Sequence, residues 1–403
     1  MIKTMLVLAM VIGWRTDGTG LYPQAEPPTE WSAQANVVWK TPLDKPSNAT
    51  PVLCGDRVFV CQDTGTLLCL DRDTGEVLWS KANSREDVMT PEEKAEAQRL
   101  AGVYEEVEKE LKPYREKFHK LRREHHKLRA RIKKAKEDEQ GKKVEEWEAK
   151  EAKLKQAMDA VRQEMKPLEQ RLDKASTYRL PKTHNVNGYS TPTPVCDGKR
   201  VYVLFGTGMA ACYDLDGERQ WIRFIQKTKH GWGHSASPVL GAGHLIVHID
   251  SAVRGLDPAT GQEKWRTNSA HTWGTSVITR VGETDVMITP KGDVIRCADG
   301  VKLAEKIGKV TFNAPVVLGD VVYFGEKRAR AVRLPDRVEA DRIAVEVLYD
   351  TIPEDWRGGG KERYYASPCV YDGLIYMTNS KRELVVVDAA DGSEVYTEKL
   401  KIG

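Results

Sequence analysis

The chain has 403 residues, 40% of them hydrophobic and 30% charged, and a formal net charge of +3. That length can bury a large core. The charge is too close to balance to draw a nucleic acid by net attraction, and no nucleic-acid partner is expected.

The N-terminus carries Lys3 and then the apolar run Met5 to Gly13, which fits the hydrophobic region of a secretory signal but is too short to span a bilayer. Residues 1–13 are therefore read as a signal-like segment, pointing to a periplasmic or secreted protein. A mis-assigned start codon or a buried strand is the other reading, with a cytoplasmic location. No small-x-small cleavage site follows, and no cysteine stands after the run to accept a lipid.

Residues 14–85 begin the repetitive part of the chain. Val37 to Thr41 reads as an outer strand. Pro51 to Val60 then reads as a hairpin with a Gly/Asp turn, and Leu67 to Leu70 as a third strand. Next comes Asp71-Arg72-Asp73-Thr74-Gly75-Glu76-Val77-Leu78-Trp79, which returns as Asp257 to Trp265 with Gly261 at the same place. Weaker copies lie at Tyr213 to Trp221, with Gly217, and at Asp388 to Tyr396, with Gly392. Asp, Thr or Asp, and Gly make a tight turn with a positive-φ position, and the aromatic anchors the next strand. The hairpin half recurs from Pro194, Pro238, Pro315 and Pro368.

Residues 86–178 interrupt the repeats with a different periodicity. Apolar positions run Leu100, Tyr104, Val107, Leu111, Tyr114, Phe118, Leu121, His125, Leu128, Ile132 and Ala135, in steps of four and three. After Gly141 a second seam runs from Val144 to Ala175, predicting an antiparallel coiled-coil hairpin. Pro113 and Pro167 fall at nearly the same height, so a joint in both helices is expected there. His125 is read as a polar seam residue beside Glu151 rather than a metal ligand. The basic run Arg122, Arg123, Lys127, Arg129, Arg131, Lys133 and Lys134 is read as a solvated face balanced by Glu145, Glu146 and Glu148 of the second helix. A contact for an acidic partner, anionic lipid or nucleic acid is the other reading, which leaves room for peripheral membrane association.

Residues 179–403 carry the remaining repeats. Spacing of the aromatic anchors fits a period of roughly 40 to 47 residues, the range of propeller blades, and about six blades can be counted. The fold class expected is an all-β propeller of four-stranded blades, an incomplete seven- or eight-bladed ring, with the helical hairpin inserted. The Asp-x-x-Thr-Gly-x-x-x-Trp turn with its Pro-Val hairpin resembles the quinoprotein-like, pyrroloquinoline-quinone-type β-propeller repeat. That family includes quinone-dependent alcohol dehydrogenases and the scaffold propeller of outer-membrane barrel assembly. The dehydrogenase pattern implies adjacent cysteines over the cofactor, an Asp base and Glu/Asn/Asp ligands for calcium. This chain has no adjacent cysteines and no acid that aligns to those roles, so neither catalytic residue, metal nor cofactor is assigned; quinone with calcium belongs only to an alternative dehydrogenase reading.

Seven cysteines scatter over strands and turns and read as small buried hydrophobes; in an exported protein one pair, such as Cys61 with Cys69, would cross-link within a blade. Ahead of the Pro-led strands stand Asn48, Tyr189, Trp232, His234, His271, Trp273, Asn313 and Tyr365. In a propeller such positions converge on one mouth of the channel, a surface for a peptide loop or small polar ligand; blade-to-blade packing is the other use. The expected function is that of an exported, non-enzymatic scaffold binding a protein partner or small ligand.

Overall fold

The computed structural model describes residues 11–22, 25–32, 34–138, 141–352 and 363–401. Lys3 and the first residues of the apolar run, Met5 to Met10, lie outside them. The chain divides into two compact units, one formed by Met1–Val88 with Pro181–Gly403 and the other by Met89–Leu180.

In the first unit the described residues form six antiparallel sheets of four strands, each a meander in chain order. They span 52–82, 195–224, 239–268, 277–304, 316–351 and 369–399, and are numbered sheets 1 to 6. Alternating β-branched and aromatic residues explain the strands: in Arg57–Gln62 of sheet 1 the last four side chains, Phe59 to Gln62, are all buried. In every sheet the pairing of third and fourth strands slips by one residue, and in all but sheet 5 a glycine turn follows.

The repeat motif turns out to join sheets, whereas the sequence pattern had the aromatic anchoring the strand beside it. Asp71 Oδ1 accepts from the Asp73 and Thr74 amides at 2.9 and 2.8 Å, and Asp257 Oδ1 from Ala259 N at 2.8 Å. These bonds to the ionised form hold both carboxyl groups below their ordinary pKa. Trp79 of sheet 1 reaches the turn of sheet 2 and donates its indole N–H to Leu215 O at 3.1 Å. Trp221 does the same to Pro258 O at 2.9 Å and Trp265 to Cys297 O at 3.0 Å. Each indole lies flat against a turn glycine: a Cβ on Gly261, whose φ is +69°, would stand 2.7 Å from Trp221. Gly217 faces Trp79 in the same way, and Gly392 faces Tyr349. Between sheets 4 and 5 the anchor position holds Ala304, and Arg296 pairs with Asp341 instead.

Trp39 bonds Arg72 O at 2.8 Å, Thr41 Oγ1 bonds Gly75 O at 2.6 Å, and Trp39 covers Gly75. The turn of sheet 1 is thus already occupied. Residues 37–43 nevertheless form no strand, contrary to the sequence reading, because no ladder partner lies beside them. Tyr396 of sheet 6, by contrast, is 44% exposed.

The first strands of sheets 1 and 2, and of sheets 3 to 6 in succession, are neighbours. Their lead-ins are joined by a relay of hydroxyl groups. Thr50 N donates to Thr193 Oγ1 at 3.3 Å, Thr193 N to Ser237 Oγ at 3.0 Å, and Ser237 N to Thr275 Oγ1 at 3.0 Å. The relay breaks at Ala314, which has no hydroxyl, and resumes where Ala314 N meets Ser367 Oγ at 3.0 Å. Ile12, inside the signal-like segment, exchanges two backbone bonds with Cys196 at 2.9 and 2.8 Å, and Arg15 Nη1 reaches Pro368 O at 2.8 Å.

A disulfide joins Cys54 to Cys196 between sheets 1 and 2, while Cys61 and Cys69 are free and buried. This corrects the expectation of a bond within a blade. Cys54 and Cys196 close corresponding first strands, which lie together; Cys61 and Cys69 are packed as apolar groups, and burial pushes the Cys69 thiol up to about 12.

The second unit holds α1 (Pro91–Glu137) and α2 (Gly141–Ala175). Thr90 caps α1 in a reciprocal capping box with Glu93. The helices share an apolar seam of Val107, Leu111, Val161, Met165 and Leu172. Both helices continue through Pro113 and Pro167, so neither is broken there. Each proline removes one backbone bond, and the packed seam on either side, Leu111 and Phe118 against Met165 and Leu168, keeps the helices continuous. His125 Nε2 and Glu151 Oε1 lie 3.0 Å apart within the seam.

Candidate functional site

The lead-in loops of sheets 3 and 4 bring three of the sequence-selected residues, His234, His271 and Trp273, into one polar cluster with His230, His248 and Asp250. The imidazoles of His230 and His271 stack at 5.0 Å with planes 8° apart. Trp273 stands nearly perpendicular to both, at 4.5 and 4.9 Å. Ser235 Oγ donates to Trp273 O at 2.7 Å, fixing one loop to the other.

Asp250, at a φ of +53°, ends the second strand of sheet 3 and organises the near side. Its carboxylate accepts from Thr228 Oγ1 at 2.8 Å, Gln226 Nε2 at 3.0 Å and Lys229 N at 3.0 Å. His271 Nδ1 lies 3.9 Å from the same carboxylate. His234 and His248 are 3% and 5% exposed, so burial penalises their charged forms. It pushes His234 down to about 4 and His248 to about 3; the Ala236 and Asp250 backbones offset this only in part. His271 is lowered too, by burial and then by His230. Neutral imidazoles each offer one donor and one acceptor. His234 Nε2, His271 Nε2 and the ring nitrogens of His248 have no hydrogen-bond partner among the described residues.

The other selected residues are placed as follows. Trp232 is 51% exposed and stacks on His184 at 4.0 Å. Asn48 Nδ2 bonds Val186 O and Asn187 O, both at 2.9 Å, and Asn187 Nδ2 bonds Trp232 O at 2.9 Å, so these three tie sheets 1 to 3. Tyr189 OH bonds Pro181 O at 2.9 Å, and its amide donates to Asp63 Oδ1. Asn313 is buried, with Nδ2 on Gly325 O at 2.9 Å, a bond that ties its loop to sheet 5. Tyr365 is 57% exposed and packs on Phe312 at 5.1 Å. Sequence reasoning missed His248 and Asp250; their signal is two polar residues close after the apolar run Leu245 to Val247 of the strand His244–Ile249.

A cavity of about 280 Å³ between residues 11–18 and the first strands of sheets 2 to 4 is lined by Trp14, Val195, Leu240, Val277 and Ile278 and holds no comparable polar set. No group of three His, Cys, Asp or Glu side chains among the described residues has the geometry of a metal site.

Residues 29–100 and 174–334 match the family described as outer membrane protein assembly factor BamB. No curated protein sequence matches the chain. Among solved structures, BamB from Moraxella catarrhalis is 11% identical with a TM-score of 0.39, covering 50% of this chain and 58% of that one. The quinohemoprotein alcohol dehydrogenase of Comamonas testosteroni is 10% identical with a TM-score of 0.39, covering 89% and 43%. The chain thus spans about half the length of these two structures.

Proposed function

Because the chain belongs to the repeat family of the outer membrane assembly factor BamB, we propose that it is an exported, non-enzymatic propeller scaffold that binds a protein partner. The six sheets are read as consecutive blades of a ring with seven or eight places, and the two helices as a coiled-coil arm. The observation that carries the binding reading is the His230–His271–Trp273 stack, in which His230 is exposed and His271 and Trp273 are half-buried, so that its ring faces and edges are open to a peptide loop. Exposed Trp232 and Tyr365 supply aromatic contact area of the kind enriched at interfaces. Export to the periplasm or beyond is supported by the Cys54–Cys196 disulfide, a bond that persists in oxidising compartments.

Two measurements on purified protein test this. Partner capture is expected to weaken at least tenfold on His230→Ala, on the scale of an interface hot spot, with the fold retained. Absorbance with and without added quinone and calcium is expected to show no bound chromophore. A stoichiometric quinone signal with calcium-dependent alcohol or sugar oxidation would replace the scaffold reading with the dehydrogenase one.

A further inference from the structure

The distal half of α1 carries a charge arrangement that the sequence reading expected α2 to neutralise. Of the acids Glu145, Glu146 and Glu148, only Glu148 pairs with α1, to Lys136 at 2.8 Å. Arg129 lies 3.7 Å from Glu151, and Lys133 4.0 Å from Glu137 of its own helix. Lys120, Arg123, Lys127, Arg131 and Lys134 are all exposed and have no acidic partner among the described residues. At 100° per residue these five fall within an arc of about 80°, and at 1.5 Å per residue they extend over roughly 21 Å. Glu116 and Asp138 continue the same arc one turn beyond either end and Glu124 stands at its edge, none of them paired to the five cations.

We propose that this face of α1 docks on an anionic phospholipid surface. The side chains present select among polyanions. A protein interface uses aromatic or aliphatic anchors and is depleted of lysine at its centre. No large apolar side chain of α1 or α2 is among the exposed ones, so the arc has no anchor. A single-stranded nucleic acid calls for stacking platforms, yet Tyr114 and Phe118 are drawn into the seam. A plane of phosphate headgroups needs neither: it rewards several cations aligned on one side of a helix, each contributing through its own phosphates. The same lack of exposed apolar groups makes the contact interfacial and electrostatic, without insertion into the hydrocarbon.

The test is co-sedimentation of the full chain with vesicles of phosphatidylglycerol and phosphatidylcholine in equal parts, against phosphatidylcholine alone, at low and high salt. Binding is expected only to the anionic vesicles, weakening as salt rises. Combined Lys120→Gln, Arg123→Gln, Lys127→Gln, Arg131→Gln and Lys134→Gln substitutions are expected to lower partitioning by at least about tenfold. Helix content by circular dichroism should stay unchanged, and Lys136→Gln alone should bind as the parent does. Equal sedimentation with both vesicle types, or an unaltered quintuple variant, would overturn the proposal. So would retention on duplex DNA without retention on vesicles. Any of these failures leaves the protein-partner reading intact, since that rests on His230 in the other unit.

Discussion

His234 and His248 show how one buried side chain type sets a pH response. Each has a folded-state value below the ordinary histidine value of about 6.5, so between that value and about 4 the unfolded chain binds more protons than the folded one. Their contribution to stability is complete above about 6.5 and is lost as pH falls toward 4. Asp250 and the cationic form of His271 act on them in opposite directions, and Lys291 acts on His271, but burial dominates. Denaturant titrations across this range should show a steep acid loss that flattens in His248→Leu; an identical slope in that variant would remove the assignment. The hydroxyl relay makes a second residue-scale prediction. Ser237→Ala deprives the buried Thr193 amide of its acceptor and should cost about 1–3 kcal/mol, whereas Ser237→Thr keeps the oxygen and should cost less. The two variants are separated by their urea midpoints.

At the scale of the element, the Asp-x-x-x-Gly turn and its aromatic were legible in the sequence as recurrences, but not as partners across sheets. The motif lists the turn and the Trp eight residues on in one segment, yet Trp221 docks on Gly261 and Trp79 on Gly217, each in the following sheet. Local spacing carries no information about which copy a side chain meets. Gly261→Ala should therefore act at two sheets, through strain at a φ of +69° and through displacement of the Trp221 ring, with a loss of about 2–4 kcal/mol. A loss no larger than that of Gly55→Ala, where a Cβ meets nothing within 4 Å, would argue against the lock. In the hairpin the periodicity of three and four found apolar residues that the two helices share, and Pro113 does not break α1. Proline lowers helix stability, but a helix of 47 residues with a packed face tolerates one lost bond. Pro113→Ala is expected to raise the thermal midpoint of the helical signal; a fall would mean the proline shapes the packing.

For the molecule as a whole, the Cys54–Cys196 bond spans 142 residues, with the entire helical unit inside the loop it closes. Chain-entropy arguments give a loop of that size a stabilisation on the order of 5 kcal/mol. Reduction, or Cys54→Ala with Cys196→Ala, should lower the thermal midpoint of the sheets while leaving the helical unit's own transition unchanged. An unaltered midpoint in the double variant would show that the bond does not constrain the unfolded chain.

Period, turn chemistry and strand patterning are local properties, and they were sufficient for six four-stranded sheets and two long helices, because each depends on residues within one segment of chain. Which sheet receives which indole, which two of seven cysteines join, and which histidines meet around Asp250 depend on approaches between segments far apart in sequence. Those approaches exist only after the sheets have packed, since the hydroxyl, indole and sulfur partners belong to different repeats whose order in space no single repeat encodes.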